Sequence, residues 1–434
     1  MKEITGVREM AQKARGASLR LAAASIDTRN QALLAIADGI ESRRQEILAA
    51  NAQDIKEAAG ELSAPLLSRL KLNEGKCTRM VEGLRALAKL PDPLGGVTYA
   101  KELSPGLDLY RVACPIGVIG VIFESRPDAL VQISSLCLKS GNAVLLKGGR
   151  EAAKTNEALT QIIVEAAAAC GLPGGWCALL HSREDVQEML KQHESIDLII
   201  PRGSNAFVRY IMQNSDIPVL GHADGLCHVY VDDPCDLEMA VRVLVDSKTQ
   251  NLSVCNAAET LLVHRGVAKA FLPLAAAALS EKNVELRGDL ETQSIIACHA
   301  ATQADWETEY LDAVLSIRIV SSLQEAVEHI NRFGSHHTDC IVSSELSHAN
   351  TFLTLVDSAG VFHNCSTRFA DGFLFGFGAE VGIATGKLHA RGPMGMEGLC
   401  TYKYRVYGHG QTLAALNDGE ISLTHLDIGK QLPQ

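Results

Sequence analysis

Residues 143–180, AVLLKGGREAAKTNEALTQIIVEAAAACGLPGGWCALL, decide the fold. Residues 143–147 and 177–180 are short apolar runs typical of buried strands, and the segment between them has helical periodicity. Its apolar residues on one helical face are Leu159, Ile162, Ile163, Ala166 and Cys170. A strand, a helix and a second strand in this order are the unit from which parallel sheets are built.

The same alternation continues on both sides of this unit. GVIGVIF at 117–123 is strand-like, and a helix near 183–192 leads to the strand DLII at 197–200. The turn PRGSN, the helix AFVRYIMQN and the strand PVL follow. We therefore predict an α/β protein with a Rossmann-type, doubly wound parallel sheet. Ligands of such sheets bind outside the carboxyl ends of the strands, so the turns after AVLLK and DLII should hold a cofactor.

Other parts of the chain have different patterns. Apolar residues recur at helical spacing through residues 1–90, and the segment PDPLGG at 91–96 ends those helices. A second α/β block follows residue 234, and residues 366–399 are glycine-rich, as in loops that approach a ligand.

Composition excludes several classes of function. A net charge of −11 and a pI near 5.7 argue against nucleic acid or anionic membrane as a partner, because both need a basic face. No apolar run reaches the roughly 18 residues of a membrane helix, and the N-terminal sequence lacks the apolar region of a signal peptide. Twelve cysteines without a CxxC pair predict reduced thiols. We expect a cytoplasmic protein.

One of the twelve cysteines has an unusual setting. Cys255, in QNLSVCNAAET at 250–260, lies among polar residues just before the strand-like ETLLVH. Most cysteines are small buried apolar residues, and Cys137, Cys170 and Cys340 lie in apolar segments accordingly. Cys255 is presented instead, which makes it a candidate nucleophile.

No metal is expected. The candidate ligands His329, His336, His337 and Asp339 include two adjacent histidines on a turn, which seldom converge on one ion, and no cysteine is correctly spaced.

Strand ends supply further candidates. Lys147 and Arg150 close the strand of LLKGGR, where a solvated strand end is an equally good interpretation. Gly203 and Ser204 open a helix whose free amides could hold a phosphate, although serine is also a common N-cap residue.

The order of these motifs resembles that of the aldehyde dehydrogenase superfamily. The successive segments are LLKGGR, GLPGGW, IIPRGSNAFVRYI, QNLSVCNAAETLLVH and ETEYLDAVLSIRIV. AVEHINRFGSHHTDCIV and ESRPD at 124–128 are similar to the branch that reduces L-glutamyl 5-phosphate to L-glutamate 5-semialdehyde. The resemblance spans essentially the whole chain.

The resemblance implies a role for each candidate. Cys255, followed by Asn256, corresponds to the nucleophile, and Lys147 to the lysine that binds the adenosine ribose. Gly203 and Ser204 correspond to the turn beside the pyrophosphate. Glu309 corresponds to the glutamate that positions the nicotinamide ribose, with a solvated carboxylate at a helix end as the alternative.

Three departures from the superfamily pattern refine this picture. Arg150 replaces the glutamate that usually accepts from the ribose 2′-hydroxyl, and a guanidinium there would pair with a 2′-phosphate, which implies NADPH. The segment GHADGL at 221–226 lacks the glutamate that activates water in hydrolytic relatives, and its Asp224 is interpreted as a turn residue. Ser125 takes the place of the oxyanion asparagine, with Arg126 beside it. Ser125 or the Cys255 amide could still donate to the oxyanion, whereas Arg126 suits a phosphate or carboxylate.

Three residues of HNCSTRFAD are secondary candidates for binding the amino-acid head of the substrate: Asn364, Arg368 and Asp371. The implied domains are N-terminal helices plus a cofactor domain at 1–234, to which 366–390 return, and a catalytic domain at 235–365. Residues 391–434, with about 100–115, would form a small oligomerisation element.

The function implied is NADPH-dependent reduction of L-glutamyl 5-phosphate through a cysteine thioester, the second step of proline biosynthesis. A homo-oligomer and functional coupling to glutamate 5-kinase are implied partners. Two alternatives stay open: another acylating, CoA-linked aldehyde dehydrogenase, and a non-catalytic scaffold with the same fold. Assays that compare acyl phosphate with acyl-CoA as substrate distinguish the first alternative from the function implied, and thiol labelling at Cys255 tests the second.

Overall fold

The computed structural model describes residues 6–62, 64–124, 126–221, 224–377 and 379–433. Five helices and a β-hairpin open the chain. They are α1 (Val7–Ala23), α2 (Ile26–Ser42), α3 (Arg44–Ala58), α4 (Ala64–Leu70), α5 (Glu74–Lys89), β1 (Val97–Ser104) and β2 (Leu107–Pro115). The apolar residues of α1, α2 and α5 share one buried cluster with the sheet that follows, which explains their helical spacing in the sequence.

The first sheet is parallel, in the strand order β5-β4-β3-β6. Its elements are β3 (Val118–Phe123), α6 (Pro127–Lys139), β4 (Ala143–Lys147), α7 (Ala153–Ala169), β5 (Cys177–Leu180), α8 (Arg183–Met189), β6 (Leu198–Arg202) and α9 (Asn205–Asn214). β3 and β4 are buried throughout, as their unbroken apolar sequences predict. The predicted α/β fold class is confirmed.

One predicted strand of this sheet is wrong. PVL at 218–220 makes only an isolated parallel bridge between Ile199 and Val219. The hydrogen bonds are those of a strand, since the Ile199 amide donates to Pro218 O and the Leu220 amide donates to Ile199 O, but the pairing covers a single residue pair.

The second sheet is also parallel, in the order β10-β9-β11-β8-β7-β12-β13. Its elements are β7 (Cys227–Val231), α10 (Leu237–Thr249), β8 (Ala258–His264), α11 (Arg265–Ser280), β9 (Glu285–Gly288), α12 (Leu290–Gln293), β10 (His299–Ala300), β11 (Val314–Val320), α13 (Leu323–Phe333), β12 (Thr338–Val342), α14 (Leu346–Leu355) and β13 (Gly360–His363). β7 precedes residue 235, where the catalytic domain is predicted to begin.

The C-terminal region completes an antiparallel sheet. The elements of the C-terminal region are β14 (Gly382–Ala384), β15 (Gly392–Met394), β16 (Cys400–Tyr407), α15 (Leu413–Asn417) and β17 (Leu426–Asp427). β14 and β15 pair with each other in a separate sheet. β16 pairs with β2 and β17 pairs with β1, which joins the two segments of the predicted oligomerisation element in one sheet. Within the described ranges, every helix is too short or too polar to cross a lipid bilayer.

Candidate active site

Cys255 lies in the loop between α10 and β8, and its backbone is held from two sides. A Cβ atom on Gly225 would lie 2.2 Å from Cys255 O and 2.6 Å from Cys255 Cβ, so only glycine fits there. The side chain of buried Asn256 donates to Ala370 O at 3.0 Å, and Thr367 Oγ1 donates to Asn256 O at 2.6 Å. The glycine-rich C-terminal region therefore fixes the position of the thiol.

The surroundings of the thiol disfavour its ionised form. Burial raises the pKa of Cys255 to about 12, and the carboxylates of Glu309 and Glu380 contribute, while the guanidinium of Arg368 opposes them. Since the thiolate is the reactive form of a cysteine nucleophile, a thiol in these surroundings would have to lose its proton in order to attack a substrate.

Arg202 belongs to this site, although the sequence pattern marked it only as part of a turn. It ends β6 and is paired in register with Phe123 at the end of β3. Burial lowers the pKa of its guanidinium, as does the neighbouring charge of Arg126, whereas Glu380 and Cys255 raise it. The sequence signal that could have identified Arg202 is a charged residue at the end of an otherwise apolar strand.

Arg126 lies at the start of α6, next to the same edge. Its guanidinium is half exposed and lies 3.5 Å from Asp128 Oδ2. Ser125, the other residue predicted here, lies outside the described residues.

A cleft of about 1510 Å³ opens at the carboxyl ends of β3, β4 and β5. Lys147 and Arg150 both line it, as predicted for the cofactor side of the sheet. Lys147 Nζ is buried and donates to Gly148 O at 2.5 Å, and burial lowers its pKa. Arg150 is 88% exposed and lies 3.6 Å from Glu61, which is 69% exposed, so this pair contributes little to stability and leaves the guanidinium accessible.

The Gly203–Ser204 turn already interacts with an anionic group. The Ser204 amide donates a hydrogen bond to the carboxylate of Glu124, whose pKa is raised chiefly by burial. A Cβ atom on Gly203 would lie 3.0 Å from Glu124 Cδ. The start of α9 thus holds the carboxylate of Glu124, and the same amide could bind a pyrophosphate.

Glu309 reaches across to the start of α9. Asn205 Nδ2 donates to Glu309 Oε2 at 2.7 Å and to Asp224 Oδ1 at 2.8 Å. Asp224 also forms an ion pair with Arg209. Both carboxylates are therefore held by neighbouring donors, and Asp224 is poorly suited to activate water.

A buried ion pair supports the loop of Glu309, and no sequence motif indicated it. Lys248 Nζ and Glu259 Oε2 are 2.6 Å apart and both side chains are fully buried. The Leu311 amide donates to the other oxygen of Glu259 at 3.2 Å. Burial raises the pKa of Glu259 to about 7.

The three secondary candidates differ in their surroundings. Asn364 uses both side-chain polar atoms on the backbone of Ser343, each at 3.0 Å, and Asp371 caps its own loop by accepting from the amides of Phe373 and Leu374. Arg368 donates to Gln250 Oε1 at 2.9 Å, and its charge acts on Cys255. Arg368 is thus the member of this group that the structure brings to the thiol.

No group of three histidine, cysteine or acidic side chains with the spacing of a metal site occurs in the described part of the chain. The histidines of the second sheet have other roles. His228 is buried 2.8 Å from Asp339, and burial lowers the pKa of His329 to about 2, so its ring is neutral.

Two parallel sheets, a nucleotide-sized cleft at the edge of one and a cysteine held in a loop beside the other fit the architecture of a nicotinamide-linked dehydrogenase. The profile of the "Aldehyde dehydrogenase family" matches residues 3–312, and the chain belongs to that family. It is therefore an oxidoreductase, and the family implies a nicotinamide cofactor.

Within this family, the chain is similar over nearly its whole length to proteins named gamma-glutamyl phosphate reductase. A gamma-glutamyl phosphate reductase from Acetivibrio thermocellus is 55% identical over 428 residues, which is 98% of this chain and 99% of the relative. Another from Ruminiclostridium cellulolyticum is 55% identical over 99% of both chains. The crystal structure of gamma-glutamyl phosphate reductase from Thermotoga maritima is 40% identical, with a TM-score of 0.92, over 94% of this chain and 99% of that one. The resemblance predicted from the motifs is confirmed.

Proposed function

We propose that this protein reduces L-glutamyl 5-phosphate to L-glutamate 5-semialdehyde and inorganic phosphate with NADPH, the second step of proline biosynthesis. The observation that carries the proposal is the state of Asp224, the acid in the segment where hydrolytic relatives have their base. Its carboxylate is occupied by Asn205 and Arg209, so a thioester on Cys255 is protected from water. The names of the close relatives support the same substrate.

In this reaction the sulfur of Cys255 attacks the acyl carbon. A carbon–sulfur bond forms, the bond from carbon to the bridging phosphate oxygen breaks, and the thiol proton is balanced by protonation of the leaving phosphate. The Cys255 amide is a candidate donor to the carbonyl oxygen during this step. After reduction, expulsion of the sulfur regenerates the thiol and releases the semialdehyde.

The chain offers suitable residues for the cofactor. Lys147 would bind the adenosine ribose, the Gly203–Ser204 turn the pyrophosphate, and Glu309 the nicotinamide ribose. Arg150 favours a 2′-phosphate, because its exposed guanidinium has only a weak partner. The bound cofactor supplies the hydride that reduces the thioester.

Homo-oligomer formation is part of the proposal. β16 lies at the edge of the antiparallel sheet and exposes Tyr402, Tyr404 and Val406, each by more than half. Exposed apolar side chains on an edge strand are typical of a surface that a second subunit covers. Functional coupling to glutamate 5-kinase remains a prediction from the resemblance.

The experiment is a comparison of substrates with purified protein and NADPH. We expect oxidation of NADPH with L-glutamyl 5-phosphate generated by a kinase, and none with the matching acyl-CoA. Cys255→Ser should abolish turnover while NADPH binding, followed by fluorescence, stays within about twofold, because a serine without a strong base is a poor nucleophile. Turnover by the serine variant, or a preference for acyl-CoA, would refute the proposal.

A further inference from the structure

We infer that Arg202, together with Arg126, forms the subsite that binds the phosphoryl group of the acyl phosphate. This inference rests on the proposed function and assigns the leaving-group site within it.

The two arginines come together because of strand order. β3 and β6 are parallel neighbours, and the last residue of β6, Arg202, is paired with Phe123 at the end of β3. The chain continues from Phe123 over three residues to Arg126, which caps α6. Both guanidiniums therefore lie at the carboxyl edge of the first sheet, where ligands of parallel sheets bind.

The positive charge at this edge is incompletely matched. Among the described residues, none forms a hydrogen bond or ion pair with the guanidinium of Arg202, a residue that is only partly exposed. Within the same described ranges, Arg126 has only its 3.5 Å contact with Asp128. A buried charge is costly without a partner, so the arrangement is complete only when an anion binds.

A neighbouring acid, Glu380, does not remove this requirement. The carboxylate of Glu380 lies near Arg202 but accepts a hydrogen bond from the Gly372 amide at 2.9 Å. Burial raises the pKa of Glu380, which favours its neutral form. A carboxyl group whose charged form is disfavoured by burial, together with the 3.5 Å contact between Asp128 and Arg126, does not fully balance two guanidiniums.

The phosphoryl group fits this position better than the α-carboxylate of the substrate does. Phosphate is bonded to the same carbon that Cys255 attacks, whereas the α-carboxylate is at the other end of the five-carbon chain. The charge of Arg202 acts on Cys255, so the anion it binds lies close to the reacting carbon. Guanidinium groups bind phosphate through paired hydrogen bonds, and the same bonds stabilise the leaving dianion when the carbon–oxygen bond breaks.

The test uses the reverse reaction, with NADP⁺, L-glutamate 5-semialdehyde and inorganic phosphate. In Arg202→Gln the KM for phosphate should rise by about ten- to a hundredfold, with the KM for the semialdehyde changed by less than about threefold. Arg85→Gln is the matched control, because Arg85 is half exposed on α5 and pairs only with Asp38 among the described residues. An unchanged KM for phosphate, or a raised KM for the semialdehyde instead, would overturn the assignment.

A second measurement does not depend on turnover. Inorganic phosphate should slow the alkylation of Cys255 by iodoacetamide, and the concentration that gives half protection should rise about ten- to a hundredfold in Arg202→Gln. Equal protection of both proteins would overturn the phosphate site. The two proposals can also fail separately. If phosphate protects the wild type but not the variant, and the wild type does not reduce glutamyl phosphate, the phosphate site is supported and the proposed function is refuted. Thermal unfolding and NADPH binding check that the variant is folded.

Discussion

Replacement of Gly225 by alanine tests whether the backbone of the nucleophile loop must stay where it is. The new Cβ would lie 2.2 Å from Cys255 O, whereas ordinary contacts begin at 3.4 Å, so something must move by about 1.2 Å. The obstacle is the backbone and Cβ of Cys255, which cannot rotate away. Overpacking of this kind costs about 1 to 3 kcal/mol of stability, and a displacement of about 1 Å at a reacting group costs on the order of a hundredfold in rate.

We therefore expect Gly225→Ala to lower kcat for reduction by about a hundredfold, measured by NADPH oxidation with saturating acyl phosphate. NADPH binding should change by less than about threefold, since the cleft is lined by other elements. Gly83→Ala is the control, because nothing lies within 4 Å of its added Cβ and alanine favours the helix by about 0.5 to 1 kcal/mol. A variant that keeps kcat within about threefold of the wild type would show that the loop adapts, and that the contact does not position the thiol.

Two further predictions concern charge. Because the pKa of Cys255 is raised to about 12, its thiolate fraction grows about tenfold per pH unit, so alkylation of this residue should increase without levelling off from about pH 7 to pH 10. Mass spectrometry of the labelled peptide follows it, and a plateau below pH 9 would contradict the raised pKa. Arg150→Glu should weaken the binding of NADPH relative to that of NADH by about ten- to a hundredfold, because a charge-assisted pair with the 2′-phosphate is lost. The measurement is the ratio of kcat/KM for NADPH to kcat/KM for NADH, and a ratio equal to that of the wild type would mean that Arg150 is only a solvated strand end.

Local sequence was sufficient to predict most of the fold and to single out Cys255 as the candidate nucleophile. Apolar runs of strand length and helical spacing each depend on neighbours within a few residues, so the parallel sheet could be predicted from residues 143–180 outward. The polar setting of Cys255 is equally local. The prediction of a strand at 218–220 was wrong because strand propensity does not reveal how many residues pair with a neighbouring strand.

Only the tertiary structure decided which side chains surround the thiol. The sequence does not determine that β6 lies beside β3, and this neighbour relation brings Arg202 and Arg126 to one edge. Local sequence likewise does not reveal the contact between Gly225 and Cys255, which lie in the loops that precede the neighbouring strands β7 and β8. Nor does it reveal the hydrogen bond from the Ser204 amide to Glu124. Periodicity specifies which face of an element is apolar. A site is built where the ends of elements distant in sequence come together, and that depends on strand order and on how the elements pack in the folded chain.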